Sequence, residues 1–180
     1  MSDRPRRPAA PDLSTDSGRI AFNRLLNDRL PTKRAIAQGL LRNERGEVLL
    51  CELTYKKDWD LPGGVLDPRE SPRECVAREI AEELDVDVHP STLLAVNWLP
   101  PYRGWDDAIL FLFDLGTVEA KRTKKMSLLK REIREVHWVA VDDLDEHVAP
   151  YTAAMVRHVL DGPVGAGTTV YLEDSAPVDS

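Results

Sequence analysis

Apolar and polar positions alternate, or fall in short apolar blocks, along most of this chain, and that pattern sets its elements. "RAIAQGLLR" (Arg34 to Arg42) and "EVLLCELTY" (Glu47 to Tyr55) read as two strands joined by a turn containing Asn43 and Gly46, which predicts a hairpin. "TLLAVNWL", "AILFLFDL" and "EVHWVAV" are rich in β-formers and bounded by Pro, Gly, Asp or Lys, so three more strands are expected. Between these two groups the period changes: Val76, Ala77, Ile80, Ala81 and Leu84 recur at helical spacing. A second helical stretch is expected in "VDDLDEHVAPYTAAMVRHVLDG", with Gly162 as its C′ residue. Ahead of the hairpin, Ile20 to Leu30 predicts a short helix or a strand-like lead-in, stopped by Pro31.

Composition narrows the class. The chain has 180 residues, 42% of them hydrophobic, enough for one domain with a sizeable core. Residues 1–18, "MSDRPRRPAAPDLSTDSG", are expected to form a disordered arm, residues 19–172 one domain, and residues 173–180 a frayed tail. A formal net charge of -7 argues against a general nucleic-acid surface, so a polyanionic substrate would need local Lys, Arg or metal ions. Cys51 and Cys75 lie in apolar-patterned segments and read as buried free thiols, which points to a reducing cytoplasm. The N-terminus has no apolar signal region and no apolar run reaches the roughly 18 residues that a membrane span needs, so a non-membrane protein is expected. His89, His137, His147 and His158 lack metal-ligand spacing.

The first helix carries the chemistry. Ser71 and Glu74 in "SPRE" form a capping box with Pro72 at the first helical position, and this start fixes the helical register. Glu79, Glu82 and Glu83 then share one side, at spacings where like charges repel. Arg78 leans toward Glu74 and Glu82, and no base is interleaved among the three acids. A solvated acidic face in an acidic chain is the plain alternative. If a cation sits there, oxygen ligands without His or Cys suit Mg²⁺ or Mn²⁺ better than Zn²⁺.

Reading outward from that helix, Gly64 is followed by five residues and Glu70, then seven residues and Arg78-Glu79, Ile80, any residue, Glu82-Glu83, any residue, and Asp85-Val86. This string resembles the signature box of the Nudix hydrolase family, G-x5-E-x7-R-E-U-x-E-E-x-G-U with U aliphatic, and departs from it at Asp85, where the box has Gly. Because that Gly closes the helix in a left-handed conformation, which Asp tolerates better than most residues, the departure is mild. "WDLPGG" and the order of strands extend the resemblance from about Arg34 to His158.

The resemblance implies an α/β fold of the Nudix type, an α/β/α sandwich around a mixed β-sheet. It also implies divalent-metal-dependent (Mg²⁺ or Mn²⁺) hydrolysis of a nucleoside diphosphate linked to another moiety: a nucleotide sugar such as ADP-ribose, a dinucleoside polyphosphate or a modified nucleoside triphosphate. By position, Glu79, Glu82 and Glu83 become metal ligands or water activators, with the Gly63 carbonyl as a further ligand and Glu70 and Arg78 behind them. Similar proteins place one more acid just before the Trp-bearing strand, which makes Glu132 the first candidate and Glu135 the second.

Trp59, Tyr102 and Trp105 are candidates to stack on a base, and Lys57 and Arg103 to meet phosphate, although core packing and solvated loops are the plain alternatives. Trp138 alternates with Val136 in a strand and is expected in the core. Similar proteins are often homodimers, and the Arg-rich arm is a candidate contact for a second subunit. The functional alternative is a non-catalytic Nudix-like domain that senses a nucleotide.

Overall fold

The computed structural model describes residues 10–162 and 167–178. It divides into two compact units, Met1–Thr32 and Lys33–Ser180. In the first, α1 (Asp16–Asn27) starts inside the stretch expected to be disordered, because the Thr15 side chain caps it by accepting a hydrogen bond from the Gly18 N–H. Of the two forms predicted for Ile20 to Leu30 the helix is the one found, and residues 1–9 of the expected arm lie outside the described residues.

The second unit contains β1 (Arg34–Asn43), β2 (Val48–Leu53), β3 (Gly63–Val65), α2 (Pro72–Leu84), β4 (Leu93–Leu99), β5 (Ala108–Val118), β6 (Ile133–Val139), α3 (Pro150–Asp161), β7 (Val170–Glu173) and β8 (Ala176–Pro177). The predicted hairpin is β1 with β2, where Arg42 faces Val48. The strands form one mixed sheet in the order β6-β2-β1-β5-β4-β7-β8, with β3 added against β1. The β1–β5 and β4–β7 pairs are parallel and the others antiparallel.

Alternation along the strands divides the core in two. Ala37, Leu49, Cys51 and Phe113 pack beneath α2 with Val76, Ile80 and Leu84. Leu40, Leu50, Leu110 and Leu112 pack on the other side with Ala153, Met155 and Val156 of α3. This is the α/β/α sandwich around a mixed sheet. Ile80 and Leu84 are almost completely buried, and each burial stabilises by about 1.5–3 kcal/mol. Trp138 is half-buried against the α2 cluster and its indole N–H donates to the Ala120 carbonyl at 3.0 Å.

The last third departs from the pattern reading. The single helix expected from Val141 is broken into a 3₁₀ segment (Val141–Glu146) and α3, since Pro150 sits at the first turn of α3 after an extended Ala149. Gly162 ends α3 with φ -77° and ψ 176°, an extended rather than a left-handed stop. The expected frayed tail is instead the hairpin of β7 and β8, in which Leu172 and Ser175 are buried.

Candidate active site

Helix α2 is built as its capping box dictates. Ser71 Oγ accepts from the Glu74 N–H, Glu74 reaches back to the Ser71 N–H at 3.0 Å, and Asp85 closes the far end at φ 55° and ψ 44°. Asp85 therefore adopts the left-handed conformation for which the family box uses Gly. Glu74 is occupied by the cap, so Arg78 turns to Glu70, with Nε to Oε1 at 2.7 Å and an Nη to Oε2 at 2.9 Å. The same guanidinium reaches Glu79 at 3.0 Å and Glu82 at 3.6 Å. It thus fixes the loop before the helix to the acids upon it.

Opposite these acids runs β3. Gly63 is at φ 132°, and a Cβ there would meet the Ala37 carbonyl oxygen at 2.2 Å; one on Gly64 would lie 2.4 Å from Glu79 Oε1. Only glycine lets this strand approach both β1 and the carboxylates. The Gly63 N–H donates to Glu83 Oε2 at 3.1 Å. The segment after β5 closes the other flank: Ser127 and Leu129 donate backbone N–H groups to the Leu84 and Glu83 carbonyls, satisfying the end of α2. That contact carries the chain to Glu132, whose carbonyl accepts from the Thr54 N–H at 2.9 Å.

The electrostatics follow from burial and partners. Glu83 is only 6% exposed, and its carboxyl is pushed up to about 8, first by burial and then by the charges of Glu79, Glu132 and Asp60 against the opposing Gly63 bond. Burial also raises Glu79, with Arg78 opposing and Glu82 and Glu132 adding to the rise. Glu70 moves the other way, to about 2, because Arg78 stabilises its ionised form. The donor set around Gly63 is oxygen from Glu79, Glu83 and Glu132, with a more exposed Glu82 alongside. Buried carboxylates raised by one another fit a hard divalent ion, which would supply the missing positive charge. Cys75, buried under the same helix, has its thiol pushed up to about 12 and offers no thiolate.

Not every acid joins. Glu135 faces Glu52 across β2 and β6, on the α3 side of the sheet, where Glu52 binds Arg134 at 2.7 Å and His137 at 3.1 Å. Among the described residues, Glu52, Glu135 and His137 are the three ligand-type side chains whose atoms all lie within 4.8 Å of one another. The α2 carboxylates stand farther apart, as repulsion without a cation requires.

A cleft of about 350 Å³ shares Gly63 and Gly64 with the acidic site. Tyr102 and Trp105 line it; Tyr102 meets Tyr151 edge-on at 5.8 Å, and the Arg34 guanidinium lies 4.7 Å from the Trp105 ring centroid. The other candidates sit elsewhere. Trp59 is stacked between His137 and His147, with centroids at 4.0 and 4.3 Å, so both ring faces are taken. Lys57 is exposed and outside the lining, where its neighbour Lys56 stands instead, paired with Asp60 at 2.6 Å. Arg103 lies over the Tyr102 ring and 3.6 Å from Asp58.

Sequence reasoning missed Gln38, Asp60, Arg34 and Tyr151, which line the cleft from β1, the loop before β3 and α3. A polar Gln38 within an otherwise apolar strand was the one readable signal. A wider hollow of about 570 Å³ lies between Asp85 and Arg122 but touches none of the α2 glutamates.

Comparison with known proteins agrees with this geometry. Residues 32–159 match the model of the NUDIX domain family. The chain is 28% identical over 132 residues to a MutT-like protein of Streptomyces ambofaciens, covering 73% of this chain and 80% of that one. It is 28% identical over 133 residues to a putative 8-oxo-dGTP diphosphatase of Bacillus subtilis (strain 168), covering 73% and 83%. Among solved structures, the MutT protein from Methanosarcina mazei Go1 aligns at a TM-score of 0.57 and 29% identity, covering 73% of this chain and 94% of that one. With the box on α2, the glycine strand against it and this match across the sandwich, the chain belongs to the Nudix hydrolase family.

Proposed function

We propose that the protein hydrolyses the diphosphate bond of a nucleoside diphosphate linked to another moiety, with Mg²⁺ or Mn²⁺ as cofactor. The observation that carries this reading is Glu83: a carboxylate 6% exposed, opposed by acids and held by one backbone N–H beside the cleft. Keeping such a group in a fold is costly unless a cation compensates it. When bound, a divalent ion supplies neutralising charge for the diphosphate oxygens and acidifies a water near neutral pH.

The residues of the chain do the rest. Glu79, Glu82 and Glu83, with the Gly63 carbonyl, hold the ion, and Glu70 and Arg78 keep those carboxylates in place. Glu132 takes the proton from the attacking water, assisted by Glu79 or Glu82, while Gly63 and Gly64 let phosphate oxygens approach the backbone. Tyr102, Trp105 and Tyr151 line the cleft that receives the attached group. No described helix is long and apolar enough to cross a membrane, which suits a small soluble substrate.

The test is product release, followed by chromatography, from ADP-ribose, sugar nucleotides, dinucleoside polyphosphates, oxidised and normal nucleoside triphosphates and prenyl diphosphates. Each is run with Mg²⁺, with Mn²⁺ and with chelator, using wild type beside Glu83→Gln. Metal-dependent cleavage that Glu83→Gln abolishes is the expected result. Tight binding with no turnover anywhere on the panel replaces the reading with a nucleotide-sensing domain.

A further inference from the structure

The cleft beside Gly63 holds buried polar atoms whose partners the protein does not supply. Gln38 is 6% exposed, and its amide nitrogen donates to Asp60 Oδ1 at 2.9 Å and to the Leu61 carbonyl at 3.4 Å. Two acceptors fix the amide orientation, so Gln38 Oε1 remains a buried acceptor without a partner among the described residues. Arg34 Nε, on the same strand and in the same lining, is a buried donor in the same condition. Unmet groups of this kind are expected where a ligand completes the bonding.

A third polar group enters from beyond the family match, which ends at residue 159. Asp174 lines the cleft from the two-residue turn of the β7–β8 hairpin, where Asp174 and Ser175 have φ 51° and 63°. Such turns favour Asn-Gly, and this one lacks glycine. It is held from β4 instead. Asn97, fully buried, donates to Ser175 Oγ at 2.8 Å and accepts from the Ser175 N–H at 3.0 Å, while the Asp174 N–H donates to the Trp98 carbonyl at 2.8 Å. A buried clasp thus presents an exposed carboxylate at a fixed place in the cleft wall.

We infer that Asp174, positioned by the Asn97–Ser175 clasp, determines specificity by reading a guanine-type base edge on the substrate. This rests on the diphosphate-hydrolase reading of the neighbouring carboxylates. A carboxylate offers two adjacent acceptors and wants two adjacent donors. Guanine presents N1–H beside N2–H₂; adenine, cytosine and uracil place a ring nitrogen or carbonyl acceptor next to their donor and would meet the carboxylate with repulsion. Guanine also offers acceptors to Arg34 Nε. A sugar diol presents two donors as well, but the apolar walls of Ile36, Leu99 and Leu110 suit a flat ring better.

The experiment is calorimetric titration of the full chain, in Mg²⁺, with α,β-methylene triphosphates of guanosine, inosine, xanthosine, adenosine and 2′,3′-dideoxyguanosine. Wild type is expected to favour guanosine over inosine and adenosine by about 10- to 100-fold, the range for one bidentate pair. In Asp174→Asn the side-chain amide donates where the carboxylate accepted, so preference moves from guanosine to xanthosine, a reversal that a merely structural residue would not produce. Asn97→Ala is expected to flatten the selectivity without reversing it.

Equal wild-type affinity for all bases, no binding of any, or uniform weakening in Asp174→Asn overturns the inference. A loss with the dideoxy compound as large as that with inosine assigns the donors to the sugar and overturns it too. Selective guanine binding without Glu83-dependent turnover would sink the hydrolase reading alone; turnover with base-blind binding would sink this one alone.

Discussion

Glu52 and Glu135 face each other at the sheet edge on the α3 side, and Glu79 and Glu83 stand on α2 on the other side; their surroundings treat them oppositely. Glu52 is answered by Arg134 at 2.7 Å and His137 at 3.1 Å, and these bonds lower its pKa. Glu83 is more deeply buried, has only the Gly63 N–H, and is pushed up to about 8. The edge cluster brings its ligand atoms closer together, yet its charge is already met within the protein. Density of acids therefore marks a metal site less well than burial of acids whose charge nothing in the chain neutralises.

The largest effect that could break this comparison is kinetic. Glu83→Gln is expected to lower turnover of the cleaved substrate by about 10²- to 10⁴-fold, the range for losing a group that acts on the reacting atoms, while Glu135→Gln stays within about twofold. Product-release rates at saturating Mg²⁺ decide it, and equal losses in the two variants would erase the distinction. Next comes metal binding itself. Mg²⁺ or Mn²⁺ at about 100 times its Kd adds about 2.7 kcal/mol, or roughly 5–10 °C in Tm. The shift is expected to vanish in the double variant Glu79→Gln/Glu83→Gln and to persist in Glu52→Gln.

A smaller effect comes from the glycine strand. Gly64→Ala places a methyl 2.4 Å from Glu79 Oε1, and overpacking there is expected to cost about 1–3 kcal/mol in denaturant unfolding and to reduce turnover.

The pH response sharpens the comparison further. The folded pKa of Glu83, about 8, lies above its ordinary value, so between that ordinary value and about 8 the folded protein holds the extra proton. Metal-free stability is then expected to fall as pH rises through that window. Saturating Mg²⁺ or Glu83→Gln should flatten the slope in a Tm series. Glu70 works in reverse: held at about 2 by Arg78, its contribution is present above the ordinary glutamate value and is lost as pH falls toward 2. Smallest of all, Arg134→Ala at the exposed edge pair is expected to cost under about 1 kcal/mol.

Much of α2 was legible because its causes are local. A capping box, a proline at the first turn and a helical period need no distant partner, and Asp85 could be assigned a left-handed close from the box alone. The aromatic candidates were less legible. Trp59, Tyr102 and Trp105 look alike in the sequence, and only the fold stacks Trp59 between two histidines while leaving Tyr102 and Trp105 along the cleft. Lys56 and Lys57 are adjacent, and the loop turns one of them toward Asp60. "EDSAPVDS" carries the composition of a tail, and its order comes from Asn97, a strand residue more than seventy positions away.

By itself, then, the sequence determined the family, the acidic helix and the spacing of Glu79, Glu82 and Glu83 on it, because helical register is set by neighbours within a few residues. Only the tertiary structure decided that Glu83 is buried without a counter-charge, that Glu135 faces away from it, and that Gln38, Arg34 and Asp174 meet at one cleft. Burial and pairing depend on which strands become neighbours, and the parallel β1–β5 pairing that assembles this sheet joins segments about seventy residues apart.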